Sequence, residues 1–255
     1  MSDFIDNRFQ TFFENRQYIA LKNYLYNYLL RKRAILKTIR NCKNMTILEI
    51  GSGMSPIVIP TDNVIYSDVS LSALKIAKNT HDKGLFVVAD SSSLPFKTNI
   101  FSHVICSEVL EHIDNDLRAL QEIARVIKHS GSFLITFPHR HSYYACDDRF
   151  VGHFRRYELS EMEELLSKAG LKPVLTKKVL GPLEKITMIV TISFIRFFSL
   201  FTIKKTKIES GLLYMGLIVG IFRLFNILYA FVARVDAYIT PIKLSSVLLI
   251  KATKQ

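Results

Sequence analysis

Ile47-Leu48-Glu49-Ile50-Gly51-Ser52-Gly53 decides the fold of this chain. Apolar residues around a single acid read as a short buried parallel strand. The two glycines after it permit a tight turn whose backbone can approach a ligand closely. A Gly-x-Gly turn alone says little. Its force comes from two acids further along the chain: Asp68 after the apolar run Val64-Ile65-Tyr66, and Asp90 after Leu85-Phe86-Val87-Val88-Ala89. Each acid stands where a strand should end, and acids at the carboxyl ends of successive parallel strands line one crevice.

Working outward, helical patterns at 71–79, 116–128 and 161–169 alternate with strand candidates at 104–107, 133–137 and 174–179. Residues 8–40 read as a further helix, ending near the basic cluster Arg31-Lys32-Arg33. Strands alternating with helices predict a parallel sheet covered on both faces. After residue 180 two long apolar runs appear, 186–203 and 212–233, and the chain closes on the strand-like Ser246-Val247-Leu248-Leu249-Ile250. If that last strand rejoins the sheet, the apolar pair is an insertion whose ends lie on the same side of any membrane. The expected architecture is α/β and Rossmann-like: a seven-stranded, mostly parallel sheet with helices on both faces, an N-terminal helix and a C-terminal hydrophobic helical pair. The corresponding divisions are an N-terminal helical cap (1–44), the core (45–181), the helical insertion (182–240) and the final core strand (241–255).

At 255 residues and 49% hydrophobic content the chain has ample material for a packed core. Three cysteines, Cys42, Cys106 and Cys146, form no C-x-x-C pair and argue against a disulfide framework or structural zinc. The net charge of +12 is unevenly spread: residues 1–44 carry +6, 45–170 carry −4 and 171–255 carry +10. Basic excess outside the core suits nucleic acid or an anionic lipid surface, and the apolar content of the C-terminal region favours lipid. The first residues lack a basic-then-apolar signal pattern, so the expected location is the cytoplasmic side of a membrane, peripheral or monotopic.

Together these segments resemble the class I S-adenosylmethionine-dependent methyltransferases, over roughly residues 45–180 plus the last strand. The likeness is greatest to the small-molecule group that includes quinone-biosynthesis methyltransferases. It rests on 47–53, on Tyr66-Ser67-Asp68-Val69-Ser70, on Ala89-Asp90-Ser91-Ser92-Ser93-Leu94-Pro95-Phe96 and on Ser107-Glu108-Val109-Leu110-Glu111-His112-Ile113. The resemblance implies S-adenosyl-L-methionine as cofactor. Gly51 and Gly53 would pack against its methionine moiety, with Glu49 supporting that end. Asp68 would accept from the ribose hydroxyls, and Asp90, with Ser91, would meet the adenine. Hydroxyls and an exocyclic amine are donors, which carboxylates recognise without a metal. Taken singly, Asp68 or Asp90 also suits a helix N-cap. Two departures stand out: prolines at 56 and 60 leave little room for the usual first helix, and Ser55 stands in place of a third glycine.

Methyl transfer from a sulfonium demands mainly near-attack geometry and, for a hydroxyl acceptor, a base. His112, after the fourth strand, is the candidate base, with a local structural role as the alternative. Glu108, Glu111 and His112 resemble the metal-binding string of some quinone O-methyltransferases and small-RNA 2′-O-methyltransferases, to which His139, His141 or His153 could add a ligand. Metal-independent relatives carry the same string, so a divalent metal is not the favoured reading. The segment 147–157 resembles a stretch after strand five in membrane-associated members. It places His153, Arg155 and Arg156 near the acceptor, where one arginine could grip an anionic head group while the other pairs with Glu158 or Glu161.

Both apolar runs are long enough to span a bilayer. Arg196 and Arg223 interrupt them, and Lys204, Lys205 and Lys207 would lie on the wrong side of a hairpin. Gly216, Gly220, Arg223, Asn226 and Ala230 form a small and polar stripe beside an apolar face, an interfacial pattern. The expected function is methylation of a hydrophobic or lipid-linked acceptor at a membrane surface, with no nucleic acid. The alternatives are an RNA 2′-O-methyltransferase and a non-catalytic membrane-associated cofactor-binding protein. The acceptor and the oligomeric state are left open.

Overall fold

The computed structural model describes residues 23–39, 45–201 and 212–254, with side chains omitted for 194–201 and 212–218. Most of the expected helix at 8–40 and the lysines at 204–207 lie outside these residues. Seven strands form one sheet: β1 (Ile47–Ile50), β2 (Val64–Asp68), β3 (Leu85–Val88), β4 (Phe101–Ser107), β5 (Ile127–Pro138), β6 (Leu171–Leu180) and β7 (Val247–Lys254). Their order is β3-β2-β1-β4-β5-β7-β6. Neighbours from β3 to β5 run parallel, whereas β7 is antiparallel to both β5 and β6. The chain order reverses between β1 and β4, which opens a crevice beyond their carboxyl ends.

The described helices are α1 (Tyr26–Thr38), α2 (Leu71–Thr80), α3 (Asp116–Val126), α4 (Cys146–Val151), α5 (Leu159–Lys168), α6 (Pro182–Phe201) and α7 (Leu212–Ile239). In α3, Ala119, Leu120, Ile123 and Val126 recur at helical spacing and are buried, and Asn115 caps the start by accepting from Arg118 N at 3.0 Å. Leu48, Val104, Phe133 and Ile135 pack with that stripe in the core. A second apolar cluster, on Tyr66, Ile105, Leu134 and Leu249, receives α1 and α7. Strand β5 begins earlier than its apolar run suggests. Its register slips between Phe101 and His103, and Ser130 takes φ 62°, so its polar start is a bent extension of a buried strand.

The final strand rejoins the sheet. Ser246 N donates to Leu180 O at 3.0 Å and Ser246 Oγ to Gly181 O at 2.9 Å, so the ends of the α6–α7 segment meet. Helix α7 also caps α6: Asp236 Oδ2 accepts from Leu183 N at 3.1 Å. A side chain at Gly181 would collide with that carboxylate, so only glycine fits the junction.

Candidate functional site

The cofactor and acceptor candidates named from sequence lie at or beyond the carboxyl ends of β1 to β5, but several do different work from that expected. Gly51 and Gly53 have φ 65° and 56°, a conformation that costs other residues about 1–2 kcal/mol. At Gly51 a Cβ would also collide with Val109 Cγ2, so the loop after β4 packs directly on the turn. Asp68 fixes this turn from the next strand: Oδ2 accepts from Gly53 N and Oδ1 from Ser70 N, both at 2.8 Å. The cap of α2 is Ser70, whose hydroxyl accepts from Ala73 N at 3.2 Å. Asp90, exposed after β3, accepts from Ser92 N at 2.8 Å, with Ser91 buried beside it.

Glu49 is buried and binds the chain itself. Its two oxygens accept from Ile57 N at 2.7 Å and Val58 N at 2.9 Å. The reason lies in the loop. No helix forms between Gly53 and Val64, so the amides of 57 and 58 need an acceptor, and a buried carboxylate needs donors. Helix α1 closes the loop from outside, with Tyr28 Oη donating to Ser55 O at 3.1 Å or Pro56 O at 3.0 Å.

The loop after β4 is strained where the chemistry gathers. Glu108 takes φ 55°, unusual for a residue with a side chain, and Arg31 of α1 meets its Oε2 at 3.1 Å. A short turn at Leu110–His112 comes next. Glu111 is fully buried. Burial, and then the charge of Glu108, push its carboxyl well above the usual range. His112 Nδ1 lies 3.2 Å from Gly152 O, and its ring meets that of His153 edge to face at 4.8 Å.

Around Asp148 runs a buried ionic network. Its carboxylate receives His153 Nδ1 at 2.9 Å, Arg156 Nε at 2.8 Å and Lys185 Nζ at 2.5 Å. Burial works against its charge, yet the His153 hydrogen bond, the Arg156 guanidinium and Lys185 hold Asp148 well below the ordinary carboxylate range. Lys185 also donates to both oxygens of Asp147, at 2.6 and 2.7 Å. Sequence reasoning passed over Lys185 and Glu184. Two consecutive charges just before an apolar helical run were the available signal.

The two arginines pair with carboxylates other than Glu158 and Glu161. Arg155 lies 3.1 Å from Asp116 Oδ2, and Arg156 is buried against Asp148. Burial explains the second choice, since a guanidinium out of water requires a charged partner. Of the three further histidines considered, His139 bonds Ser245 O and His141 pairs with Glu161. Only His153 joins Glu111 and His112.

A strand-end acid holding a Gly-x-Gly turn, in a sheet of this order, has parallels in known proteins. Residues 48–135 match the family model described as a methyltransferase domain. An uncharacterized Methanocaldococcus jannaschii protein is 37% identical over 110 residues, 42% of this chain and 47% of that one. A ubiquinone/menaquinone biosynthesis C-methyltransferase of Coxiella burnetii is 30% identical over 93 residues, 34% of this chain and 37% of the relative. The chain spans about half the length, or less, of these curated relatives. Among solved structures, a putative methyltransferase complexed with the Haloferax volcanii Trm112 activator has a TM-score of 0.64 at 16% identity, covering 96% of each chain. That likeness is one of overall fold.

Proposed function

We propose that this protein transfers a methyl group from S-adenosyl-L-methionine to a hydrophobic or lipid-linked acceptor at a membrane surface, on the cytoplasmic side. The observation that carries the first half is the Asp68–Gly53 hydrogen bond at the carboxyl ends of β1 and β2, which sets a carboxylate beside a turn whose left-handed backbone favours glycine. Ser52 Oγ, buried in that turn, has no hydrogen-bond partner among the described residues, so a polar ligand group has an atom to meet there. Gly51, Gly53, Asp68, Asp90 and Ser91 would hold the cofactor, which supplies a methyl on a sulfonium. Glu49 acts on it indirectly, by fixing the loop. The acceptor loses a proton when its nucleophile is a hydroxyl, and His112, anchored through Nδ1 to Gly152 O, would take it through Nε2. Calorimetric titration tests this half: saturable binding of S-adenosyl-L-methionine is expected, weakened at least tenfold by Asp90→Ala. Absence of binding to the native chain would sink the reading.

The surface half rests on α7. On its inner side Asn226 accepts from Tyr26 N at 3.2 Å and Ala233 and Ala237 are buried, whereas Gly220 and Arg223 of the small and polar stripe are exposed, Arg223 lying over the Tyr24 ring at 3.9 Å. Its large apolar residues face out, with Leu224, Phe225, Leu228 and Phe231 each about 60% exposed or more. Such a patch marks an interaction surface, and the C-terminal charge of +10 suits an anionic bilayer. Among the described residues no helix is long and apolar enough to cross a membrane. Flotation with anionic vesicles should be lost when Phe225, Leu228 and Phe231 are changed together to Ser. Unchanged flotation would remove the membrane from the proposal.

A further inference from the structure

Helix α7 carries its positive charge on one flank. Arg223 and Arg234 are both exposed and stand about three helical turns apart, so they share a side of the helix beside its outward apolar face. That flank meets the edge of the sheet. Strand β6 is the last in the strand order, and its Thr176, Lys177 and Lys178, with Arg234, Tyr238 and Ile242, line a cavity of about 550 Å³.

The cavity is lined by three cations and no acid. Lys177 Nζ donates to Thr38 Oγ1 at 3.1 Å, and Lys178 Nζ donates to Tyr238 O at 2.8 Å and Thr240 O at 2.6 Å, so both ammonium groups bond neutral oxygens. No Asp or Glu among the described residues lies within ion-pair distance of Lys177, Lys178 or Arg234. Asp236, two residues beyond Arg234, is committed elsewhere: its carboxylate accepts from Leu183 N at 3.1 Å and Thr240 Oγ1 at 3.3 Å. A lysine over the last carbonyls of a helix offsets its negative pole, so the end of α7 presents positive charge to the groove. Like charges gathered in one concave site repel one another and attract an anion.

The surroundings of the cavity select the anion. Phe231, Val235 and Tyr238 recur at helical spacing and are exposed, Tyr238 by 83%, so the basic groove borders directly on the apolar face of α7. A small soluble phosphate has nothing to lay on that face. A phospholipid brings a phosphate and an acyl chain together, and a tyrosine at their boundary suits the level of the head groups. Arginine adds forked donors that match phosphate oxygens.

We infer that the groove between β6 and α7 binds the phosphate of an anionic phospholipid, held by Lys177, Lys178 and Arg234, with the lipid's chains against Phe231 and Val235. The inference rests on the membrane-surface reading and gives it a defined point of contact. It is independent of the methyl donor. Strand β6 stands four strand spacings from β1, about 19 Å across the sheet, so a head group here leaves the cofactor crevice free.

Flotation of the full chain on phosphatidylcholine vesicles, with and without one-fifth phosphatidylglycerol at fixed ionic strength, tests the inference. The native chain should float with the anionic vesicles. Lys177→Gln with Arg234→Gln should need at least tenfold more lipid for half flotation, whereas Lys75→Gln with Lys97→Gln, which removes the same charge from exposed positions elsewhere, should stay within twofold. A cooperative melt certifies each variant as folded. Arg234→Gln alone, on the exposed flank, should need at least threefold more lipid and serves if the pair fails to fold. Equal shifts in the two paired variants, or equal flotation of the native chain on neutral vesicles, would overturn the groove and leave the membrane reading standing. No flotation of the native chain on either vesicle would remove both. Saturable calorimetric binding of glycerol 3-phosphate without flotation would assign the groove to a soluble phosphate and overturn the lipid.

Discussion

Lys185 joins the insertion to the site, and replacing it measures how firmly. The ammonium is buried at the start of α6, between Asp147 at 2.6 Å and Asp148 at 2.5 Å. In Lys185→Met, Asp148 keeps Arg156 and His153, but Asp147, itself buried, has no other ion-pair partner among the described residues. Removing one member of a buried pair costs about 3–5 kcal/mol, most of it the uncompensated charge left behind. For a chain of this size each kcal/mol lowers Tm by about 2–4 °C, so a fall of roughly 6–20 °C is expected. Calorimetry and urea unfolding at pH 7 read it directly.

The companion variant is Asp147→Asn in the Lys185→Met background. It removes the stranded charge, so the double variant should be more stable than Lys185→Met alone, with a coupling of at least about 1 kcal/mol in the double-mutant cycle. A Lys185→Met cost below about 1 kcal/mol, or additive effects, would refute the claim that this pair locks α6 to α4. Acid should do the same work by another route. The folded pKa of Asp148 is depressed, so its contribution is present above the unfolded value near 4 and is lost as pH falls below it.

Gly51→Ala should destabilise the protein by about 1–2 kcal/mol through its left-handed backbone and weaken cofactor binding, while Val109→Ala restores only the steric share; calorimetric titration and melting separate the two. Burial, and then the charge of Lys251, push His103 down to about 4. Its unfolded pKa is near 6.5, so stability present above pH 6.5 should fall by up to about 2–3 kcal/mol between pH 6.5 and 4, a slope that His103→Gln should flatten in urea titrations. Glu49→Gln loses the charge that binds two amides and should soften the loop at 54–60, seen as faster hydrogen exchange at Ile57 and Val58 with a modest loss of cofactor affinity.

The sheet was legible because its signals are local. A buried strand, two glycines and an acid at each strand end repeat the same physical demand, and the returning 246–250 run implied that 182–240 is an insertion. What escaped the sequence was pairing across distance. Glu49 reads as a ligand-facing acid until the missing helix after Gly53 leaves the amides of Ile57 and Val58 for it to satisfy. Arg156 reads as a head-group clamp until its burial beside Asp148 is known. Lys185 reads as the polar edge of an apolar run, since no local pattern announces that its partners, Asp147 and Asp148, lie 38 and 37 residues earlier. The omissions share a physical cause. Apolar burial follows periodicity and can be read from one segment, whereas a buried charge is explained only by the group it meets, which here arrives from α1, α4 or α6. The crevice is thus assembled by the sheet but closed by the least regular parts of the sequence.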